Sequence, residues 1–496
     1  MAKLHSDLQN KEFWYKDITL ISNRLPDFER DEVDLNTYFT KQILLKTPFV
    51  SAPMDTVTEA EMAIAMALYG GIGVIHYNFP SIDEQVKEVE KVKRFEAGFV
   101  FSPIVLSPQN TIKDVYNISE KYGFFSTPIT EDGTLNSKLL GIVTHRDVRY
   151  RKDMETKLRE VMSPREKLIV AKKSETVDKN DLTSANKILK EYNLDTLPIV
   201  DKDDKLSALV TDGDMEKNEM YPLATKNENK QLMVFIAVES RLKNAKERIK
   251  KGVDAGVDGI VIDASVVFKE QLEIAKFCKQ NFPRLSVVLG NIGSAEMVRK
   301  ILEAGSEYCD ALKVGMGPGA ACITQQELGT GRAQASAVWD CCQEAKKMEP
   351  KYGFIPLIAD GGIKMFDEAG EKTQKPGDIT KALALGAHTV MMGSLLAGLD
   401  ESPGQKEFDY EDNRMVKKYR GMGSLEAMEG TSAVRYAVDK VKIKIPEGIV
   451  TKVPYRGSAY DFLPRLIVGV KQSFQKQGFK NIKELQEEAD IRPLPK

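Results

Sequence analysis

The sequence predicts an α/β protein, a closed (β/α)8 TIM barrel with a duplicated module inserted in one βα loop. Three observations predict it. Short apolar runs alternate with charge-rich, helix-patterned segments before residue 101 and again after 222, a texture that builds parallel sheets. An internal repeat separates the two stretches. A glycine-rich loop ahead of a lone cysteine, Lys313-Val-Gly-Met-Gly-Pro-Gly-Ala-Ala-Cys322-Ile-Thr324, follows the strand-like run Asp310-Ala-Leu-Lys-Val314. Strand, glycine loop and nucleophile in that order hold a reactive atom at the carboxyl end of a sheet. By itself the loop reads equally as a flexible turn with a small, buried cysteine.

Residues 1–40 are polar and irregular apart from Phe13-Trp-Tyr-Lys-Asp-Ile-Thr-Leu-Ile21. Thr47-Pro-Phe-Val-Ser51 reads as the first strand, Glu59–Tyr69 as an Ala/Met-rich helix and Gly70–His76 as a second strand, a βαβ unit. From about 102 to 221 the chain repeats itself. One copy contains Thr127-Pro-Ile129 and Gly141-Ile-Val-Thr144-His-Arg-Asp147, the other Leu197-Pro-Ile199 and Ala208-Leu-Val-Thr211-Asp-Gly-Asp214. Helices are expected near 111–122 and 181–192. Further strands are expected at 233–238, 259–263, 286–291, 311–314, 355–360 and 389–393. With those near 49, 74 and 99 they make nine candidates, one more than an eight-stranded barrel needs.

A chain of 496 residues is long for one core, and 42% hydrophobic content is ordinary for a globular protein. A net charge of -2 gives no electrostatic case for nucleic acid or a membrane surface. No apolar run approaches the roughly 18 residues of a membrane span. Five cysteines, an odd number, without a signal peptide point to free thiols in a reducing compartment, so the chain is expected in the cytoplasm. The histidines, His5, His76, His145 and His388, are too scattered for a metal site.

Barrel active sites lie just past the strands, which selects Ser51 and Met54, His76 and Asn78, Asp263, Asn291, the 315–324 loop, Asp360-Gly361-Gly362 and Gly393-Ser394. Two late glycine turns, Asp360-Gly-Gly-Ile363 and Met392-Gly393-Ser394, each leading into a helix, suit a phosphate held by backbone N–H groups. A carboxylate beside such a turn can accept from both hydroxyls of a ribose.

Ser51-Ala-Pro-Met54-Asp-Thr-Val-Thr-Glu59, Gly315-Met-Gly-Pro-Gly319, Cys322-Ile-Thr324, Asp360-Gly-Gly-Ile363, Met391-Met-Gly-Ser394 and Tyr419-Arg-Gly-Met-Gly-Ser424, in this order over about residues 13–480, resemble the inosine-5′-monophosphate dehydrogenase family. The repeat resembles a tandem pair of CBS modules. The resemblance implies a barrel from 1–101 and 222–496, CBS modules at about 102–156 and 157–221, and an active-site flap at about 425–455. It implies oxidation of IMP to xanthosine monophosphate with NAD, in guanine nucleotide biosynthesis. Cys322 would form a covalent thioimidate, hydrolysed by water with help from Arg435, Tyr436 and Thr324. Asp360 would bind the ribose, and Gly361, Gly362, Gly393, Ser394 and Tyr419 the phosphate. Met392 would belong to the Gly393-Ser394 phosphate turn, and Met54, Gly421, Met422, Gly423 and Glu447 would meet the hypoxanthine. Asp263, Asn291, Gly315 and Gly317 would serve NAD, and the carbonyls of Gly317, Gly319 and Cys322 potassium. Thr144, Asp147, Thr211 and Asp214 would hold purine nucleotides at the CBS pair, and the assembly would be a homotetramer that stacks into octamers.

Four departures from the family pattern stand out. Ala320 replaces a serine whose hydroxyl would help hold the phosphate. Val266-Val267-Phe268 follows Asp263 where small or polar residues and a glycine are expected, crowding the NAD side. Glu239-Ser-Arg241 stands where many members carry a histidine. The chain stops at Lys496, short of a segment that completes the potassium site in relatives. Two alternatives stay open: a GMP reductase that deaminates GMP with NADPH, and a non-catalytic nucleotide-binding relative.

Overall fold

In the computed structural model, the described residues are all but 1, 10, 96–98, 101–102, 123–124, 180–181, 212–219, 268, 364–375, 437–442 and 495–496. They divide into two compact units, one of residues 1–93, 223–225 and 232–496, the other of 94–222 and 226–231.

The first unit is a closed barrel of eight parallel strands: β1 Phe49–Ser51, β2 Ile72–Ile75, β3 Val234–Val238, β4 Gly259–Asp263, β5 Ser286–Ile292, β6 Ala311–Val314, β7 Leu357–Asp360 and β8 Thr389–Met392. Register runs from Val234 beside Gly73 round to Met392 beside Ser51, which closes the cylinder. The strands are buried on both faces, so their sequences are continuous apolar runs such as Val-Phe-Ile-Ala-Val. Inward side chains, among them Val50, Val74, Phe235, Val261, Val288, Ile358 and Met391, fill the interior with Phe39 and Leu45. A helix follows each strand: α1 Ala60–Leu68, α2 Ile82–Arg94, α3 Leu242–Asp254, α4 Lys269–Asn281, α5 Ala295–Gly305, α6 Gln334–Tyr352, α7 Pro376–Ala384 and α8 Ala459–Gln477. Helix α5 starts at Ser294, whose hydroxyl accepts from Met297 N. At the chain ends, the strand Asp490–Pro493 pairs with Lys3–Leu4 and with Ile18–Ile21.

The fold class is as expected, but two details differ. The chain leaves the barrel after α2 and returns at β3, so the insertion interrupts an αβ connection, not a βα loop. An apolar run shows that a strand exists but not on which side of a helix the chain departs. The surplus strand is the one near 99: Phe99–Val100 pairs with Leu209 and Val210 inside the second unit.

That unit holds two similar halves. Helix Ile112–Tyr122 accompanies a sheet of Thr127–Thr130, Leu139–Val143 and Ser163–Pro164; helix Leu182–Tyr192 accompanies Thr196–Val200 and Leu206–Thr211, extended by Ala171–Lys172 and Phe99–Val100. Each half buries an apolar cluster, Ile112, Val115, Ile129 and Val143 in one and Ala185, Leu189, Leu197 and Val210 in the other. Thr144 caps helix His145–Val148, with Asp147 Oδ2 accepting from Thr144 N at 2.7 Å and from its hydroxyl at 2.8 Å. Thr211 ends its strand, and Asp214 lies outside the described residues.

His388, just ahead of β8, accepts from Leu357 N through Nδ1 at 3.1 Å and packs edge-on against Phe354. Burial lowers its pKa to about 4. Because the folded value lies below the unfolded one, this neutral imidazole contributes stability that is complete above about pH 6.5 and is lost as pH falls toward 4. Thermal unfolding across that window is expected to lose up to roughly 3 kcal/mol from this group. A His388→Gln variant should lose that part of the slope, and an unchanged slope would refute the assignment.

Candidate active site

The sequence-selected residues gather at the carboxyl ends of the strands. Met54, Asn291, Gly315, Gly317, Gly319, Cys322, Thr324, Asp360, Gly361, Tyr419, Gly421, Met422, Gly423 and Glu447 line one cleft of about 130 Å³. Cys322 is half-buried, whereas Cys278, Cys309, Cys341 and Cys342 are buried. Burial pushes the thiols of Cys278, Cys309 and Cys341 up to about 12, so none of these offers a thiolate near neutral pH.

The cysteine loop is held by the segment around Glu447. Ile323 N donates to Glu447 O and Ile449 N to Ala321 O, both at 2.9 Å, pairing Cys322 with Gly448 in a short bridge. Gly421 closes the other side, where a Cβ would stand 2.6 Å from Ala321 O. This clamp brings three side chains into line. Thr324 Oγ1 is 3.1 Å from Cys322 Sγ and donates to Glu447 Oε2 at 3.0 Å. With the threonine proton directed at the carboxylate, its oxygen is left to accept from the thiol, an unbroken path for removing the thiol proton.

Lys313, on β6 and fully buried, forms the floor. Its Nζ donates to Asp360 Oδ2 at 2.8 Å, to Asp263 Oδ1 at 3.2 Å and to Asn291 Oδ1. Asn291 Nδ2 donates in turn to Asp360 Oδ2 at 2.9 Å and to Gly315 O at 2.6 Å. Asp360 and Asn291 therefore face the cleft in fixed orientation, while Asp263 is fully buried behind Lys313.

The two glycine turns close the far side. Gly361 and Gly362 have φ of 81° and 82°, the left-handed region that glycine adopts without strain. Gly393 lies where a Cβ would come within 3.0 Å of Tyr419 Oη and 3.1 Å of Met54 Sδ; Met392 and Ser394 beside it are buried. Gly362, Met392, Gly393 and Ser394 thus back the cleft without lining it. Arg435 and Tyr436 end a 3-10 turn at Thr431–Tyr436; their side chains and residues 437–442 lie outside the described set.

The departures acquire places. Ala320 is exposed, and Val266 and Val267 are half-buried after β4, with Phe268 outside the described residues. Glu239, buried at the end of β3, accepts from Arg248 Nε of α3 at 2.6 Å, and Arg248 also donates to Gln85 Oε1 at 2.7 Å. Gly319 O accepts from Cys322 N at 3.0 Å, and among the described residues no cluster of His, Cys, Asp and Glu could hold a metal ion. No described helix is long and apolar enough to cross a membrane. No sequence motif assigned Lys313 a role, although a lysine inside an otherwise apolar strand run signals a buried counter-charge.

Comparison with known proteins identifies the family. The family description "IMP dehydrogenase / GMP reductase domain" matches residues 12–494. The inosine-5′-monophosphate dehydrogenase of Schizosaccharomyces pombe is 43% identical, covering 94% of this chain and 85% of its own. The enzyme of the same name from Aquifex aeolicus is 42% identical, covering 92% and 88%. Among solved structures, a cysteine-to-alanine variant of GMP reductase from Trypanosoma brucei in complex with guanosine 5′-monophosphate superposes with a TM-score of 0.82 at 29% identity, covering 99% of this chain and 97% of that one. A cysteine loop on a closed barrel and a family match over nearly the whole length lead to one conclusion: the chain belongs to the IMP dehydrogenase / GMP reductase family.

Proposed function

We propose that the cleft oxidises IMP at C2 with NAD, giving xanthosine 5′-monophosphate through a covalent adduct on Cys322. Oxidation of IMP in guanine nucleotide biosynthesis, by an NAD-dependent oxidoreductase, is the activity supported by 39–43% identity to IMP dehydrogenases over most of the chain. The observation that carries the chemistry is the hydrogen-bonded line Cys322–Thr324–Glu447 opening beside Asp360.

Sγ bonds to C2 as the C2–N3 π pair moves onto N3, with the thiol proton passing to Thr324 Oγ1 and the threonine proton to Glu447; loss of hydride from C2 then restores the double bond and leaves the thioimidate. NAD, when bound, supplies the hydride acceptor. Asn291, Gly315 and Gly317 line its side of the cleft, with Asp263 behind them through Lys313. Asp360 accepts from the ribose hydroxyls, and the turns at Gly361-Gly362 and Gly393-Ser394, with Tyr419, hold the phosphate. Met54 and the Gly421–Gly423 turn face the purine, with Glu447 at its edge and Met392 packed behind with the Gly393-Ser394 turn. In the second half-reaction water bonds to C2, the C2–S bond breaks and Cys322 is regenerated. Arg435, with Tyr436 in the 425–455 flap, takes the water proton, a role that rests on family resemblance. Potassium at the carbonyls of Gly317, Gly319 and Cys322 belongs to the same reading, as do a cytoplasmic homotetramer and its stacking into octamers.

A second reading, GMP reductase, is favoured by the 0.82 TM-score to the Trypanosoma enzyme. One cuvette experiment separates them: IMP with NAD should raise the absorbance of reduced nicotinamide, and GMP with NADPH should leave it unchanged. The reverse pattern makes the chain a reductase, and silence in both makes it a non-catalytic relative.

The 102–221 region, read as two CBS modules, binds purine nucleotides through Thr144, Asp147, Thr211 and Asp214. Asp147 Oδ2 caps its helix, leaving Oδ1 for a ribose hydroxyl. Adenine nucleotides, which are not substrates of the cleft, should therefore raise the thermal midpoint by mass action. A shift that survives Asp147→Ala combined with Asp214→Ala would rule the site out.

A further inference from the structure

The segment that leads to Arg435 is tied down at three points. Ser432 Oγ donates to Met422 O, in the turn that faces the cleft. Ser240 Oγ, just past β3, donates to Val434 O at 3.3 Å. The third point is Asn78, three residues after β2. Its Oδ1 accepts from Ser432 N at 3.1 Å and stands 3.1 Å from Thr431 Oγ1, which also reaches Tyr77 O at 2.9 Å. Gly430 lies so close that a Cβ there would come within 2.5 Å of the same amide oxygen.

Asn78 is distinguished by what its other end does. Nδ2 donates to Asp55 Oδ2 at 2.6 Å, and Asp55 accepts from Arg420 Nε at 3.1 Å and from its terminal nitrogen at 2.6 Å. Arg420 sits between Tyr419 and Gly421, both of which line the cleft. The Asn78 backbone N–H donates to His76 Nδ1 at 3.0 Å, so the amide grows from a fixed stem. One side chain therefore joins the 430–434 segment, by its acceptor, to the Asp55–Arg420 pair beneath the substrate turn, by its donor.

We infer that Asn78 is a positioning residue for the hydrolytic half-reaction: it holds the arm that carries Arg435 in register with the turn that faces the substrate. This rests on the reading of Arg435 given above. Asn78 touches none of Cys322, Thr324 and Glu447, and it does not line the cleft. Adduct formation and hydride transfer therefore proceed without it, and only the approach of the water-activating arm depends on it.

The test is transient kinetics on the full chain with saturating IMP and NAD, joined to intact-protein mass spectrometry after acid quench. Asn78→Ala is expected to keep the first-turnover absorbance rise, to slow steady-state turnover roughly tenfold, the upper end for one lost hydrogen bond, and to accumulate nucleotide on Cys322. Thr431→Val removes the hydroxyl from the opposite side and should give the same split. The double variant should cost less than the sum of the two. This second variant keeps the inference open to refutation if Asn78→Ala does not fold. Arg435→Ala is the reference. If it too bursts and stalls, while Asn78→Ala and Thr431→Val slow both phases equally or neither, the role of Asn78 is overturned and that of Arg435 stands. If Arg435→Ala turns over normally, the flap assignment falls and this inference with it.

Discussion

Cys322→Ala is expected to abolish formation of reduced nicotinamide from IMP and NAD, by at least about a thousandfold, the scale of losing a covalent nucleophile. Without Sγ there is no bond to C2, and hydride loss has no tetrahedral centre to start from. Substrate binding should survive, because Asp360, Tyr419 and the glycine turns are untouched by the change. Calorimetry with IMP alone should therefore still report binding, and acid quench should recover no protein-bound nucleotide. The other four cysteines cannot substitute, since all are buried. An absorbance rise in Cys322→Ala as large as in the unaltered chain would remove the covalent mechanism altogether.

Lys313→Met should produce the largest loss of stability of any single change in the cleft. The lysine side chain is 1% exposed and Asp263 0%, so both charges are held away from water and compensate each other. Taking away the cation while its carboxylates stay costs about 3–5 kcal/mol, the range for breaking a buried pair. Heating at neutral pH reads this as a lowered midpoint. Lys313→Met combined with Asp263→Asn removes the stranded charge as well and should recover a large part of the loss. The same Lys313 variant leaves Asp360 held by Asn291 without the lysine, so KM for IMP should rise even where the protein remains folded. An unchanged midpoint in Lys313→Met would show that the cluster is not held by charge.

The sequence by itself determined the barrel and the glycine loop that carries Cys322. Strands of a parallel barrel are buried on both faces, so each is written as an uninterrupted apolar run, and Val234–Val238 or Gly259–Asp263 needs no tertiary information to be recognised. The same holds for turns whose glycines are imposed by local geometry, such as Gly361-Gly362 at positive φ. The repeat between 102 and 221 was legible because two copies of one pattern lie in a single chain.

Only the tertiary structure decided which side chains meet. Thr324 reaches Glu447 across 123 residues of sequence, Asn78 reaches Ser432 across 354, and Arg420 reaches Asp55 across 365. Closing the barrel sets β1 against β8, so that Phe49–Ser51 pairs with Val390–Met392 across more than three hundred residues; no periodicity records that. The strand at 99 is as apolar as its neighbours, and only its pairing with Leu209 and Val210 assigned it to the second unit. Local sequence specifies backbone conformation, because propensity and burial act residue by residue. The Cys322–Thr324–Glu447 line, the Lys313 floor and the Asn78 tie depend on hydrogen-bond geometry between distant elements, and that geometry exists only once the chain has closed on itself.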